Sequence, residues 1–267
     1  MSAANPTAPP QTIQTQRPGV PFGRLVAVEL RKMFDTRSGF WLVASSLIIS
    51  VIAAVIVILV VPDESLSYEI FGAAFGTPLA LLLPIIAALA VTSEWSQRSG
   101  LVTFSLAPNR AAVIGAKAAA SIIVAVVAIV FALVIGALGN VVGAAINGID
   151  PVWDLDATQL VYLLIGNILG LLIGFMLGVL LRNSAAAVVG YLVYSFVLPG
   201  VLAILAGLQE WFRDLQPWID FGYAQQPLFD GSDLGGEQLA QLGTSGLIWF
   251  VIPMALGLWA VLRAEVK

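Results

Sequence analysis

Side chains that commonly do chemistry are scarce in this sequence, and two kinds are missing. It has no histidine and no cysteine. A nucleophile–base pair built on either is excluded, and so is a disulfide. Zinc or haem would have to rest on carboxylates alone, a poor ligand set for both. No GxxxxGK[ST] phosphate loop occurs, so the chain is not itself a P-loop ATPase. The acids are spread over long loops and read as a solvated surface, with no cluster suited to holding Mg2+ at the basic side of a membrane. The expectation is a chain with no catalytic residue, no metal site and no cofactor of its own. Nothing in it points to nucleic acid.

One segment does concentrate functional side chains: TSEWSQRSGLVTFSLAPNR, Thr92–Arg110. Glu94 and Arg98 stand at i, i+4 and can pair on a helix. Trp95, Val102 and Leu106 fall near one face. Pro108 would end such a helix before Arg110. Lys117 follows at the start of an apolar run, where a long stem carries its charge to the lipid headgroups. Trp and Arg are enriched in binding hot spots. The segment therefore reads as a surface for a partner, with an amphipathic loop lying on a membrane as the plainer alternative.

What must position this segment is mostly oil. The 267 residues are 59% hydrophobic and 10% charged, against about 25% charged in soluble domains. A helix needs about twenty apolar residues to cross the hydrocarbon layer. Six stretches qualify: 40–61, 70–92, 118–142, 160–181, 185–208 and 242–262. Only Arg182, Asn183 and Ser184 separate the fourth from the fifth, which predicts a tight hairpin. Residues 1–21 are rich in Pro, Thr and Gln and read as a disordered tail. Residues 22–267 then form a single all-α, polytopic domain.

Basic residues set the orientation. With the N-terminus cytoplasmic, Arg17, Arg24, Arg31, Lys32, Arg37, Arg98, Arg110, Lys117, Arg182, Arg263 and Lys267 all lie inside, and only Arg213 lies outside. The positive-inside rule thus puts both termini in the cytoplasm. Twelve of the sixteen acids fall outside, from Asp63 to Glu237. A plasma membrane location follows, and the Ala, Val and Gly bias suggests a bacterial source.

No Asp, Glu, Lys or Arg lies inside the six stretches as drawn. Secondary transporters usually carry such groups at mid-membrane, so energy for any transport would come from another subunit. The fourth stretch carries Gly166, Gly170, Gly174 and Gly178 four apart, a groove for close helix packing within the chain or between subunits. Pro78, Pro84 and Pro199, with Pro253 in the last stretch, permit kinks, either along a transport path or without function. Asn140 and Asn167 are expected to act as polar glue. The approach FGRLVAVELRKMF reads as an interfacial helix, with Phe22, Val26, Leu30 and Met33 on one face and Arg24, Arg31 and Asp35 opposite. Glu29 falls beside the apolar face, so it needs a cation or a helix N-terminus.

An interfacial helix ending in ELRKMF-x-x-R, six helices and a first cytoplasmic loop of the form SEW-x-x-x-SGLVTFSLAPNRAAVIGAK together resemble the type-2 permeases of ATP-binding-cassette exporters. Glu94, Gly100, Leu106, Pro108, Arg110 and Lys117 match the family pattern in that loop, and Glu29, Arg31 and Lys32 lie in the interfacial helix. Leu101 departs from it, where the family often has Thr. The specific likeness covers about 25 residues of the chain. It implies a coupling helix, including Trp95 and Arg98, that docks on separate ATPase subunits holding ATP and Mg2+. It also implies a second permease subunit, identical or not, and a cavity lined by the second and fifth helices. The expected cargo is hydrophobic or amphipathic: a drug-like molecule, peptide or lipid. A non-transporting anchor or assembly protein for a soluble partner is the competing expectation.

The outer segment QEWFRDLQPWIDFGYAQQPLF, Gln209–Phe229, is too aromatic for a free loop. Trp211, Leu215 and Trp218 stand at i, i+4, i+7 and can share a helical face, with Arg213, Asp214 and Gln216 pointing elsewhere. A short interfacial or re-entrant helix is expected here, in contact with membrane lipids.

Overall fold

The computed structural model describes residues 20–35, 37–96, 109–232 and 234–263. Regular structure among them is entirely helical. It begins with α1 (Phe22–Asp35), α2 (Arg37–Val60), α3 (Tyr68–Ser96), α4 (Arg110–Asn147) and α5 (Ala157–Leu181). It continues with α6 (Ser184–Leu208), α7 (Glu210–Ile219), α8 (Phe221–Ala224) and α9 (Gly236–Arg263). Five helices, α3, α4, α5, α6 and α9, are long and apolar enough to cross a membrane, whereas the described apolar run of α2, Ala44–Val60, is shorter. Large apolar side chains such as Leu59, Val127, Phe196, Ile204 and Leu208 stand exposed on the outside. That pattern suits a chain solvated by lipid.

The helices follow the apolar stretches but run past them. α4 has 38 residues, about 57 Å, and extends well beyond both ends of 118–142. Its early start is set by Asn109, whose side chain accepts from the Ala112 N–H at 3.1 Å. Gly148 ends it in the left-handed region at φ 68°. Asp156 and Gln159 form a reciprocal capping box at the start of α5. The α5–α6 link is the tight hairpin expected. Arg182 turns the chain at φ 52°, and the Asn183 side chain caps α6 by accepting from the Ala186 N–H.

α3 is the hub. Phe71, Phe75, Leu79, Leu83, Ala87 and Val91 recur every four residues and are almost fully buried. They meet Ala125, Ala128, Ile129 and Ala132 of α4 and Leu171, Phe175 and Val179 of α5. Glycine sets how closely the helices approach. A Cβ on Gly174 would overlap the carbonyl of Pro84, and one on Gly178 would lie 2.9 Å from the Ala88 carbonyl oxygen. Here α3 and α5 touch backbone to backbone. A second glycine row, not singled out in the sequence, lies on α4. The Phe75 and Phe71 rings occupy the places where Gly136 and Gly139 would carry a Cβ. Gly166 meets the Phe229 ring, but a Cβ on Gly170 would find nothing within 4 Å. The four-residue stripe therefore splits into packing and open positions.

Proline shapes the rest. Pro84 has no N–H, which leaves the Ala80 carbonyl, four residues earlier, without its helical donor. The Tyr191 hydroxyl donates to that carbonyl at 2.6 Å, joining α6 to α3. α6 and α9 each pass through a π-helical segment, Val193–Val197 and Leu247–Val251. Each segment ends two residues before a proline, Pro199 and Pro253. Widening the turn there accommodates the missing donor and the ring's clash with the preceding turn.

Contacts define two ends of the bundle. α1, the start of α4 and the ends of α3 and α9 meet at one end, through Lys117, Ala90, Arg110 and Val261. At the other, Tyr68 begins α3 beneath the 148–156 loop. The Val152 carbonyl accepts from the Tyr68 N–H and the Asn140 side chain, and Asp154 accepts from the Glu69 N–H. Asn140 thus acts as glue, to a loop carbonyl. Asn167 does not: its amide donates back within its own helix, to the Leu163 carbonyl at 2.8 Å.

The split stripe makes an expected contrast. Gly174→Leu forces α3 and α5 apart and destabilises the fold by about 3 kcal/mol or more. Gly170→Leu, placed against open space, keeps most of the stability. Thermal unfolding of both variants in one detergent is the measurement.

Candidate functional site

At the α1 end, Glu29 is 7% exposed and Lys117 is 3% exposed. The Lys117 ammonium donates to Glu29 Oε2 at 2.6 Å and to the Ala90 carbonyl at 3.3 Å. Lys32 donates to Glu29 Oε1 at 2.7 Å. The acid that had to find a cation has two. Lys117 departs from expectation. It is not reaching outward toward headgroups, because the long reach of α4 brings it against α1 and the end of α3. Buried ions require partners of this kind. Arg110 also turns inward, donating to the Val261 carbonyl of α9 at 3.0 Å. Arg31 stays exposed, 4.0 Å from Asp35.

Trp95 is half-buried and packs against the main core, so its ring joins the bundle. Glu94 lies in the last turns of α3, whose helix ends at Ser96. The segment expected to form a coupling helix, with Arg98, Gly100, Leu106 and Pro108, lies outside the described residues, as does most of 1–21.

A cavity of about 560 Å3 occupies the half of the bundle nearer the opposite end. α3 contributes Glu69, Gly72, Gly76, Thr77 and Ala80, and α5 contributes Gly166, Asn167 and Gly170. Tyr191, Tyr194, Ser195, Phe196 and Pro199 of α6 form the facing wall, around the π segment. Asp220, Gly222, Gln225 and Phe229 close it from the α7–α8 region. Its volume falls in the range of small-molecule sites. Gly76 and Gly170 leave its walls smooth, since a Cβ on either meets nothing within 4 Å. Of the prolines singled out, Pro199 lines the cavity, while Pro84 packs on Gly174 and frees the carbonyl that Tyr191 binds. Pro78 lies within α3 and is outside the lining.

The short helix expected in the outer segment is α7, with Pro217 inside it. Its faces are only partly as expected. Trp211 and Leu215 are exposed, and Trp218 is half-buried. Phe212 and Gln216 turn inward and are buried. Gln216 was expected to point away. It instead donates to Asp220 Oδ2 at 3.0 Å, while Asp220 Oδ1 accepts from the Tyr223 N–H at 3.1 Å. Trp249, in the π segment of α9, donates from its ring N–H to the Ile219 carbonyl at 2.6 Å and packs at a tilt against Tyr194, with centroids 5.6 Å apart. The two π segments thus brace the α7 end and the cavity wall together.

Sequence reasoning missed Asp220, Gln216 and the tyrosines. The stretch DFG after an aromatic helix carries the N-cap signal for Asp220, yet not the cavity beside it. Compared with known proteins, the chain matches no family model and no curated protein sequence.

The ion pair gives an expected outcome. Lys117→Met leaves Glu29 buried with Lys32 as its remaining described ionic partner, at a cost of about 3 kcal/mol. Adding Glu29→Leu removes the stranded carboxylate and recovers most of that loss. A double-mutant cycle by thermal unfolding in detergent checks the coupling.

Proposed function

We propose that this chain is the permease subunit of an exporter driven by ATP hydrolysis in separate ATP-binding-cassette subunits. Six helices cross the plasma membrane of a bacterial cell in this reading, with α2 completing the set. The basic end, with both termini, faces the cytoplasm, and α1 and α7 lie along the inner and outer interfaces. Two such subunits pair, and the cavity between α3, α5 and α6 holds the cargo.

The observation that supports this best is the course of α3. One continuous helix lines the cavity from Glu69 to Leu81 and runs on to Ser96, inside the charged 92–110 segment. Leu81 and Trp95 are fourteen residues apart, about 21 Å along the axis. A push on the loop from a nucleotide-driven partner would therefore reach the cavity wall through a stiff element. The end of α3 is joined to α4 and α1 through Lys117, so the same push would be shared by the bundle's base. An anchor protein has no need of such a cavity, which favours transport over the competing reading.

ATP and Mg2+ belong to the partner subunits in this scheme. The chain itself performs no chemistry. Its residues bind cargo, exclude lipid from the path and transmit movement.

Arg98→Glu, in the segment that would dock on the partner, is the test. The chain purified from its native membrane is expected to carry a P-loop ATPase with it and to raise that protein's ATP hydrolysis. Arg98→Glu should lower both by about tenfold or more while thermal stability stays within about 0.5 kcal/mol of the parent. Hydrolysis and association unchanged by the substitution would reject the coupling role, and a chain purified without any ATPase would reject the reading as a whole.

A further inference from the structure

We propose that the cavity is a site for amphipathic organic cations, bound through the Asp220 carboxylate and the Asn167 side-chain carbonyl against aromatic walls. The inference rests on the transport reading only for calling the bound molecule cargo. The site itself stands on the cavity's chemistry.

Charge comes first. Glu69 and Asp220 both line the cavity, and no Lys or Arg is among its lining residues. Asp220 is 6% exposed. Its two described partners, the Gln216 amide and the Tyr223 N–H, are neutral donors. Each carboxylate oxygen retains a lone pair beyond these bonds. Buried carboxylates ordinarily have a cationic partner, and among the described residues none pairs with Asp220. The surroundings reinforce this. Asp63, Glu64, Asp150, Asp154, Asp156, Glu210 and Asp214 sit at the same end of the bundle, and the one basic side chain there among the described residues, Arg213, lies against Glu210 at 3.5 Å. Such a field concentrates cations at the mouth of a low-dielectric cleft.

A second observation is independent of charge. Asn167 is 4% exposed and lines the cavity, and its Oδ1 has no hydrogen-bond partner among the described residues. The amide orientation is fixed, because its nitrogen donates to the Leu163 carbonyl, which can only accept. The orphan atom is therefore an acceptor awaiting a donor. A carboxylate and an unpaired carbonyl in one cavity call for N–H donors carrying positive charge. A protonated amine or an iminium with N–H groups supplies both.

The remaining lining suits the rest of such a molecule. Tyr191, Tyr194, Phe196 and Phe229 present aromatic surface, which attracts cations through ring faces. Gly76 and Gly170 leave room for a flat ring system. The Tyr194 hydroxyl is also buried and without a partner, and it can donate or accept.

Rhodamine 6G, a lipophilic cation with two N–H donors, and Nile red, a neutral aromatic dye, are the probes. Each is titrated against the full chain in phosphatidylcholine nanodiscs and followed by fluorescence anisotropy, with empty nanodiscs correcting for partition into lipid. Saturable rhodamine 6G binding is expected. Asp220→Asn keeps the cap on Tyr223, since Asn caps as well as Asp, but removes the charge. It should weaken rhodamine 6G binding by about tenfold or more and leave Nile red unchanged. Asn167→Leu should also weaken the cation, with no loss of thermal stability, because it removes an unpaired buried acceptor. Rhodamine 6G that binds no better than to empty discs overturns the proposal, as does binding by both variants as tight as the parent's. If Asp220→Asn lowers the unfolding temperature, Asn167→Leu decides alone. Neither outcome depends on an ATPase. Cation binding without an associated ATPase upholds the site and rejects the exporter, and an associated ATPase without cation binding does the reverse.

Discussion

Everything in this fold is arranged around the backbone contact between α3 and α5. At Gly174–Pro84 and Gly178–Ala88 no side chain stands between the two helices. That contact fixes their separation at one level. Nearer the other end, Gly170 and Gly76 face open space, and the cavity occupies the gap. Backbone contact and a cavity are thus neighbours on one pair of helices. Small residues serve both, by allowing contact where helices meet and leaving volume where they do not.

Polar groups among the apolar helices are handled in two distinct ways. At the α1 end, the Glu29 carboxylate is paired with both Lys117, at 2.6 Å, and Lys32, at 2.7 Å. The Tyr191 hydroxyl likewise answers the carbonyl that Pro84 leaves free. These groups are paired by good geometry, and they hold elements together. Around the cavity the accounting is left open, at Asn167 Oδ1 and the Tyr194 hydroxyl. Unsatisfied groups cost stability; at Asn167 and Tyr194 that cost falls beside a void, whereas Ser121 Oγ and Asn140 Oδ1 are unpaired away from the cavity lining.

Much of the framework was legible from hydrophobic runs. The positions of the long helices, the two-residue turn at Arg182 and Asn183, and the inward need of Glu29 all follow from local pattern. Periodicity states which residues share a face but not what lies opposite. Gly170 and Gly174 are equivalent by spacing, yet one meets vacant space and the other a carbonyl. Gln216 reads as an exposed polar residue by its place on a helical wheel. It is buried because Asp220, one turn on, needs a donor there. Lys117 looked like a membrane-surface anchor because the helix was expected to begin beside it. Asn109 starts that helix eight residues before Lys117, so Arg110 and Lys117 fall within the bundle's base and both basic groups turn inward. Burial of these groups is decided by tertiary neighbours, which a single sequence does not display.

The π segment of α6 has a consequence for how this cavity could change shape. A π turn holds one more residue than an α turn over the same rise, so it is a phase shift stored in the helix. Converting Val193–Val197 to regular α-helix would rotate everything beyond it, Pro199 included, by about 100° relative to the base. The base is tied to α5 through the Arg182 hairpin and cannot turn with it. Torsion, with little displacement, would then change which residues from Leu198 onward face the cavity. Trp249, packed against Tyr194 from the matching segment of α9, sits where it would sense that rotation. The wall of the site is therefore built as a short screw between fixed supports.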